Sequence, residues 1–150
     1  VVMDDEMLAK RLFRAFGTIS HGAGRDIRGV SEGEMAILGM LSATGKPLAP
    51  GDLAERLQLS TSRVANALKT LERKGFVTRE INPADRRGII VSITPEGDAF
   101  GKARFNEAIT SMRDLVDDLG EEDTKELVRI LERIQDRIIE RTGIEPPPLG

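Results

Sequence analysis

The stretch STSRVANALKTLERKGFVTREINPADRRGIIVSIT, residues 60–94, changes its hydrophobic rhythm half way along. From Thr61 to Lys74 the apolar residues Val64, Leu68 and Leu71 recur at three- and four-residue steps, the period of an α-helix. After Gly75 and Phe76 the period becomes two. Val77, Arg79 and Ile81, then Ile89, Val91 and Ile93, alternate with their neighbours as strand residues do. The spacing predicts a helix over 61–74, stopped by Gly75, and a two-stranded hairpin with a long tip at Asn82–Gly88. Ser60 or Thr61 can cap the helix, since a side-chain oxygen there accepts an N–H that the first turn leaves free.

Upstream, Pro50 opens a short helix, with Asp52 where the helix dipole favours an acid and Leu53, Ala54 and Leu57 as its apolar side. Gln58–Ser60 is a tight connection to the next helix. Before it, Ser31 and Glu34 have capping-box spacing and open a helix through Leu41, with Met35, Leu38 and Leu41 on one side; Thr44–Pro47 is a turn. Asp4–Ser20 is amphipathic through Leu8, Leu12, Phe16 and Ile19, with Gly22 and Gly24 ending it. Downstream, Thr94 caps a helix that starts at Pro95 and runs to Leu119. Gly120 breaks it, and Glu121–Arg141 is a last helix striped by Leu127, Leu131, Ile134 and Ile138. Pro146–Pro148 cannot continue it. The fold class is thus mainly α with a small β-hairpin, in the order of a winged helix-turn-helix.

Composition narrows the function. The 150 residues contain no Cys and one His, which excludes disulfides, thiol chemistry and zinc sites built from several His within one chain. Five Phe, without Trp or Tyr, argue against stacking on single strands as the main activity. No apolar run approaches a membrane span, and Val1–Lys10 is acidic with no signal core, so the location predicted is cytoplasmic. No nucleophile–base pair, phosphate loop or metal-ligand cluster stands out, so neither an enzyme nor a cofactor is expected. Asp117–Asp118 and Glu121–Asp123 read as solvated charge at a helix break.

The net charge of −3 alone disfavours a polyanionic partner, but it is unevenly placed. Residues 60–90 hold seven basic and three acidic groups, a local +4; residues 111–140 hold five basic and ten acidic, a local −5. On a wheel of about 100° per residue, Ser62, Asn66, Lys69 and Arg73 fall in one roughly 60° sector, opposite Val64, Leu68 and Leu71, with Arg63 at its shoulder. Arg can grip guanine and Asn can pair with adenine in a major groove; Thr61 and Ser62 at the helix start can bind phosphate or base edges. Arg86 and Arg87 on an exposed tip suit a narrow minor groove, where Asp85 can hold one guanidinium in place. An ordinary solvated helix face and a solubilising loop would look similar taken singly. The same fold could also serve protein contact alone, leaving these cations incidental.

The run Leu48–Ser60, then Arg63-Val64, Leu68, Leu71–Val77, then Asp85–Thr94 and Gly97, resembles the MarR family of bacterial regulators. The Asp85-Arg86-Arg87 pattern through Ile93-Thr94 is the most specific part. The resemblance implies a transcription regulator, typically a repressor, that binds a palindromic double-stranded operator as a homodimer. It implies a dimerisation helix within 1–30, a DNA-binding lobe at 31–94, C-terminal dimerisation helices at 95–142 and a flexible tail at 143–150. Carried over by position, Ser60, Thr61, Ser62, Arg63 and Asn66 face the major groove and Arg86 or Arg87 enters the minor groove, with Lys69 and Arg73 adding grip. A small aromatic or anionic effector is implied between the two regions; Phe13, Phe16, His21, Met35, Met40, Phe105 and Met112 are candidate lining, with plain core the competing reading. Two departures stand out: Ala49 replaces the usual Ser or Thr cap, leaving that task to Asp52, and Gln58 fills a turn position often held by Gly.

Overall fold

The computed structural model describes residues 4–23 and 30–143, with the backbone alone at 20–23. Gly24, the tail from 144 onward and the His21 side chain lie outside the described residues. The element order is α1 (Asp5–Ala23), α2 (Glu32–Thr44), α3 (Pro50–Leu57), α4 (Thr61–Arg73), β1 (Val77–Asn82), β2 (Asp85–Ile93), α5 (Pro95–Leu119) and α6 (Glu121–Thr142). The chain forms two compact units, 1–30 and 31–150.

In the first unit, α1 continues through Gly22, past the predicted end. Its stripe of Leu8, Leu12, Phe16 and Ile19 is exposed, as is Phe13.

The core of the second unit is built by α2, α3, α4 and the base of the hairpin. Ile37, Leu38 and Leu41 of α2, Leu53 of α3, Val64, Leu68 and Leu71 of α4, and Val77 and Val91 of the strands are almost fully buried. Met35 and Met40 pack against this cluster. Ser31 caps α2 by accepting from the Glu34 N–H at 3.2 Å. The Glu34 carboxylate does not reach back as a capping box would; it pairs with Lys74 at 3.1 Å. Leu48 exchanges backbone bonds with Val91 at 3.0 and 2.8 Å, so the chain before α3 is tied to the hairpin base.

The departures in the sequence have structural consequences. Ala49 offers α3 no side-chain cap, and no cap hydrogen bond from Asp52 replaces one; its charge acts through the helix dipole alone. Gln58 takes a left-handed conformation, φ 53°, where glycine is favoured. Its Nε2 donates to the Glu55 carbonyl at 2.9 Å, closing the end of α3 and setting the turn into α4.

The hairpin differs from expectation at its tip. Pro83–Ala84 alone form the turn, and Asp85–Gly88 already belong to β2. Register runs Val77↔Ile93 to Ile81↔Ile89, then jumps to Asn82↔Asp85. Arg86, Arg87 and Gly88 are therefore an unopposed bulge. Two side-chain caps make this short turn possible: Asn82 Oδ1 accepts from the Ala84 N–H, and Asp85 Oδ1 from the Arg87 N–H, both at 3.0 Å.

Helix α5 is seated on the α4–β1 junction, so packing of the lobe extends past residue 94. Thr94 Oγ1 donates to the Gly75 carbonyl at 2.7 Å and accepts from the Gly97 N–H at 3.0 Å, while the Thr94 N–H donates to the Phe76 carbonyl. A Cβ on Gly97 would stand 2.1 Å from the Phe76 carbonyl oxygen. Phe100 stacks on Phe76 with centroids 4.5 Å apart, and the Arg104 guanidinium lies over the Phe100 ring. Ser42 of α2 donates to Asp98 at 2.6 Å.

Two outcomes follow. Gly97→Ala must displace backbone, not a pliable side chain, so it should cost about 3 kcal/mol or more, read from urea unfolding midpoints. Asp98 is held below its ordinary 3.8 first by the Lys102 hydrogen bond and then by Ser42, against a smaller opposing desolvation. A depressed carboxyl stabilises above the unfolded value, and that stability declines as pH falls through the lower folded value. The advantage of wild type over Asp98→Asn in thermal melting should be full well above pH 3.8 and shrink below it.

Candidate nucleic-acid interface

Helix α4 presents the surface on which the sequence reading turned. Val64, Ala67, Leu68 and Leu71 are buried; Thr61, Ser62, Arg63, Asn66, Lys69 and Arg73 are exposed. The apolar side fixes the helix rotation, so the polar side has to project. Ser60 caps the helix by accepting from the Arg63 N–H at 3.3 Å, and its hydroxyl lies 3.2 Å from that of Ser62. Ser60 is thus an organiser of the first turn, with Ser62 beside it.

The seven cations of residues 60–90 fall into two groups. Lys74 is tied to the buried Glu34, and Arg79 binds Glu72, with Nε donating to Oε2 at 2.9 Å and Nη2 donating to the same oxygen. The first pair gives a buried carboxylate its counter-charge. The second links the exposed side of α4 to β1. Surface pairs of this kind contribute about 1 kcal/mol or less to stability, so this one ties the end of α4 to β1 without adding much. Arg63, Lys69, Arg73, Arg86 and Arg87 make no ion pair among the described residues. They are the cations of this stretch left available to an anionic partner.

Among the described residues, the Asp85 carboxylate pairs with no guanidinium. Its carboxylate accepts the Arg87 backbone N–H, because a side chain two residues back from an amide closes a small turn more readily than it reaches a long mobile side chain. It orders the backbone of the bulge from which Arg86 and Arg87 project.

The effector candidates fall in both units. Met35 and Met40 are half-buried against the lobe core, whereas Phe105 and Met112 are exposed, two turns apart on α5. Phe13 and Phe16 lie in the other unit. No cluster of three potential metal ligands occurs among the described residues.

Sequence reasoning missed Glu72–Arg79, Glu34–Lys74, and the Thr94–Gly97–Phe76 joint. Opposite charges at these positions are visible in the sequence, but each pair joins two different elements, so no helical or strand period within one element signals it. The joint had one signal, Gly97 inside the first turn of a helix, where glycine is otherwise unfavourable.

The fold and this surface define a winged helix-turn-helix protein. Residues 28–88 match the MarR family model. The chain is 30% identical over 121 residues to the uncharacterized HTH-type transcriptional regulator YcgE of Bacillus subtilis, spanning 79% of this chain and 78% of that protein. It is 32% identical over 112 residues to the HTH-type transcriptional repressor YetL of the same organism, covering 71% and 67%. Its fold is similar to that of Streptococcus pneumoniae FabT, solved in complex with DNA, with a TM-score of 0.74 at 19% identity over 93% of this chain and 100% of that one. The chain belongs to the MarR family of transcriptional regulators, a class without enzymatic activity.

If Arg86 and Arg87 meet phosphate-rich surface, Arg86→Ala with Arg87→Ala should weaken DNA binding. The slope of log affinity against log salt should also fall by about one to two, since each lost phosphate contact releases about one counterion fewer. Anisotropy titrations at several salt concentrations give both quantities.

Proposed function

We propose that the protein is a homodimeric transcriptional repressor that reads a palindromic double-stranded site, with α4 in the major groove and the β1–β2 wing in the minor groove. The observation that carries this reading is the outward face of α4: Ser62, Asn66, Lys69 and Arg73 stand opposite a buried apolar edge, flanked by Arg63 and continued on the wing by Arg86 and Arg87. FabT's solution with DNA and YetL's description as a repressor support the partner and the sign.

The dimer has its own support. Helix α6 has 22 residues and none is buried, although Leu127, Leu131, Ile134 and Ile138 stripe it. Ile109, Met112, Val116 and Leu119 add an exposed apolar face on α5. Apolar stripes of this length call for a partner, and a second copy offers matching ones. Two copies present two reading helices, and linkage turns modest contacts into useful affinity. On this reading residues 1–30 and 95–142 dimerise, 31–94 bind DNA, and the protein acts in the cytoplasm. A small aromatic or anionic effector releases it from DNA, with Phe13, Phe16, Phe105 and Met112 the candidate contacts that packing leaves exposed.

The deciding measurement is fluorescence anisotropy with the DNA upstream of the protein's own gene, with sedimentation velocity on the same sample. The expected result is a dimer that prefers this DNA to random duplex by about 10³ or more at moderate salt. Binding no tighter than to random duplex, or a monomer, would overturn the reading. Asn66→Ala should relax base preference at one position per half-site by about 1–3 kcal/mol, with little change in salt slope; selection from a randomised duplex pool reads the preference directly.

A further inference from the structure

The wing carries an apolar feature that its packing does not use. In β1, Val77, Arg79 and Ile81 share one face; the register places Ile93, Val91 and Ile89 opposite them on that same face. Val77 and Val91 are buried at the base. One step outward, the Arg79 side chain reaches back to Glu72 of α4. One step further, Ile81 and Ile89 sit directly opposite each other, 68% and 46% exposed. Two β-branched apolar residues side by side on an isolated two-stranded ribbon are a liability for edge pairing unless something covers them.

What covers them is indicated by their neighbours. The pair is bracketed by charge, with Arg79 one step inward and the Arg86–Gly88 bulge immediately before Ile89. A second copy meeting this face symmetrically would bring Arg86 and Arg87 toward their own equivalents, which is unfavourable. A duplex offers the opposite: phosphates for the arginines and, between them, the uncharged sugar faces that wall the minor groove. Deoxyribose suits an apolar contact where ribose would present its 2′-hydroxyl. A B-form minor groove is about 6 Å wide, enough for one guanidinium and too narrow for a ribbon with two isoleucines abreast, so the pair fits a wall and not the floor.

We infer that Ile81 and Ile89 form an apolar contact with the deoxyribose wall of the minor groove beside the wing arginines. The inference rests on the DNA reading above and adds a binding element independent of charge. It predicts that part of the wing's affinity is insensitive to salt.

The test uses the full chain with Ile81→Thr and Ile89→Thr together, and Ile81→Thr alone. Threonine keeps the β-branch, and the sites are exposed, so melting temperature should not move. On the protein's own upstream DNA the double variant should bind about tenfold more weakly and the single about threefold, a scale set by burying half of two isoleucine side chains. The salt slope should stay at the wild-type value, unlike that of the arginine variants. Wild-type affinity retained at every salt would overturn the inference. A slope that falls with affinity would also overturn it, since the pair would then only be holding the arginines; loss of the dimer on sedimentation would assign the pair to contact between copies instead. Absence of specific binding by wild type itself would mark failure of the DNA reading, a result separate from these.

Discussion

Burial of Val64, Leu68 and Leu71 on one edge of α4 is the constraint from which the interface follows. Each is at most 1% exposed, against Ile37, Leu38, Leu41 and Leu53. Full burial of such side chains is worth about 1.5–3 kcal/mol apiece. Rotating the helix by one residue, about 100°, would expose these three and press Lys69 and Arg73 toward the core, where an unpaired charge costs several kcal/mol. The rotation is therefore specified by a free energy comparable to the net stability of a typical domain. The outward polar face is a consequence of that packing, and whatever α4 reads, it reads with a helix whose orientation is set before any partner arrives.

The position of the wing follows from the same helix. Its C-terminal end carries Glu72, which takes Arg79 of β1, and is followed by the Gly75–Phe76 corner. The corner carbonyls accept from Thr94, and Gly97 lies so close to Phe76 that no side chain fits between them. Helix α4, the wing and the start of α5 thus meet in one place without slack. Such a joint would make any change in the angle of α5 felt at α4, because backbone-to-backbone contact transmits displacement where a flexible side chain would absorb it.

The periodicities that decided the fold were legible because helix and strand repeat over short distances. Leu53, Leu68, Leu71, Val77 and Val91 fell inside as their spacing demanded. The exposed residues of α4 were legible for the same reason, being what remains once the apolar edge is assigned. The wing tip was not. Asn82–Gly88 looked like a long loop because Asn, Pro, Asp and Gly all favour turns, and spacing alone does not tell a long loop from a two-residue turn followed by a bulge. That distinction depends on Asn82 and Asp85 each capping a specific amide. Nor could the sequence divide the basic residues. Lys74 and Arg79 count toward +4 as fully as Lys69 and Arg73, and only folding brings Glu34 and Glu72 against them.

That division decides how the chain's net charge bears on a polyanionic partner. A chain of net charge −3 is a poor polyanion ligand if its charges act at long range. At physiological salt the screening length is about 8 Å, so what matters is which charges lie near the phosphates. Helix α5 has 25 residues and is about 37 Å long, which places Asp117, Asp118, Glu121 and Glu122 at its far end from the wing base. Across that distance along the helix their repulsion is largely screened. Within residues 60–90, the five cations that make no ion pair among the described residues lie on exposed side chains of α4 and of the Arg86–Gly88 bulge. The acidic residues near them are already engaged or few: Glu72 by Arg79, Asp85 by a backbone amide, with Glu80 remaining. A protein acidic as a whole can thus present a basic surface where one is needed. On the proposed reading, the acidity elsewhere favours binding by that face and disfavours other orientations on DNA.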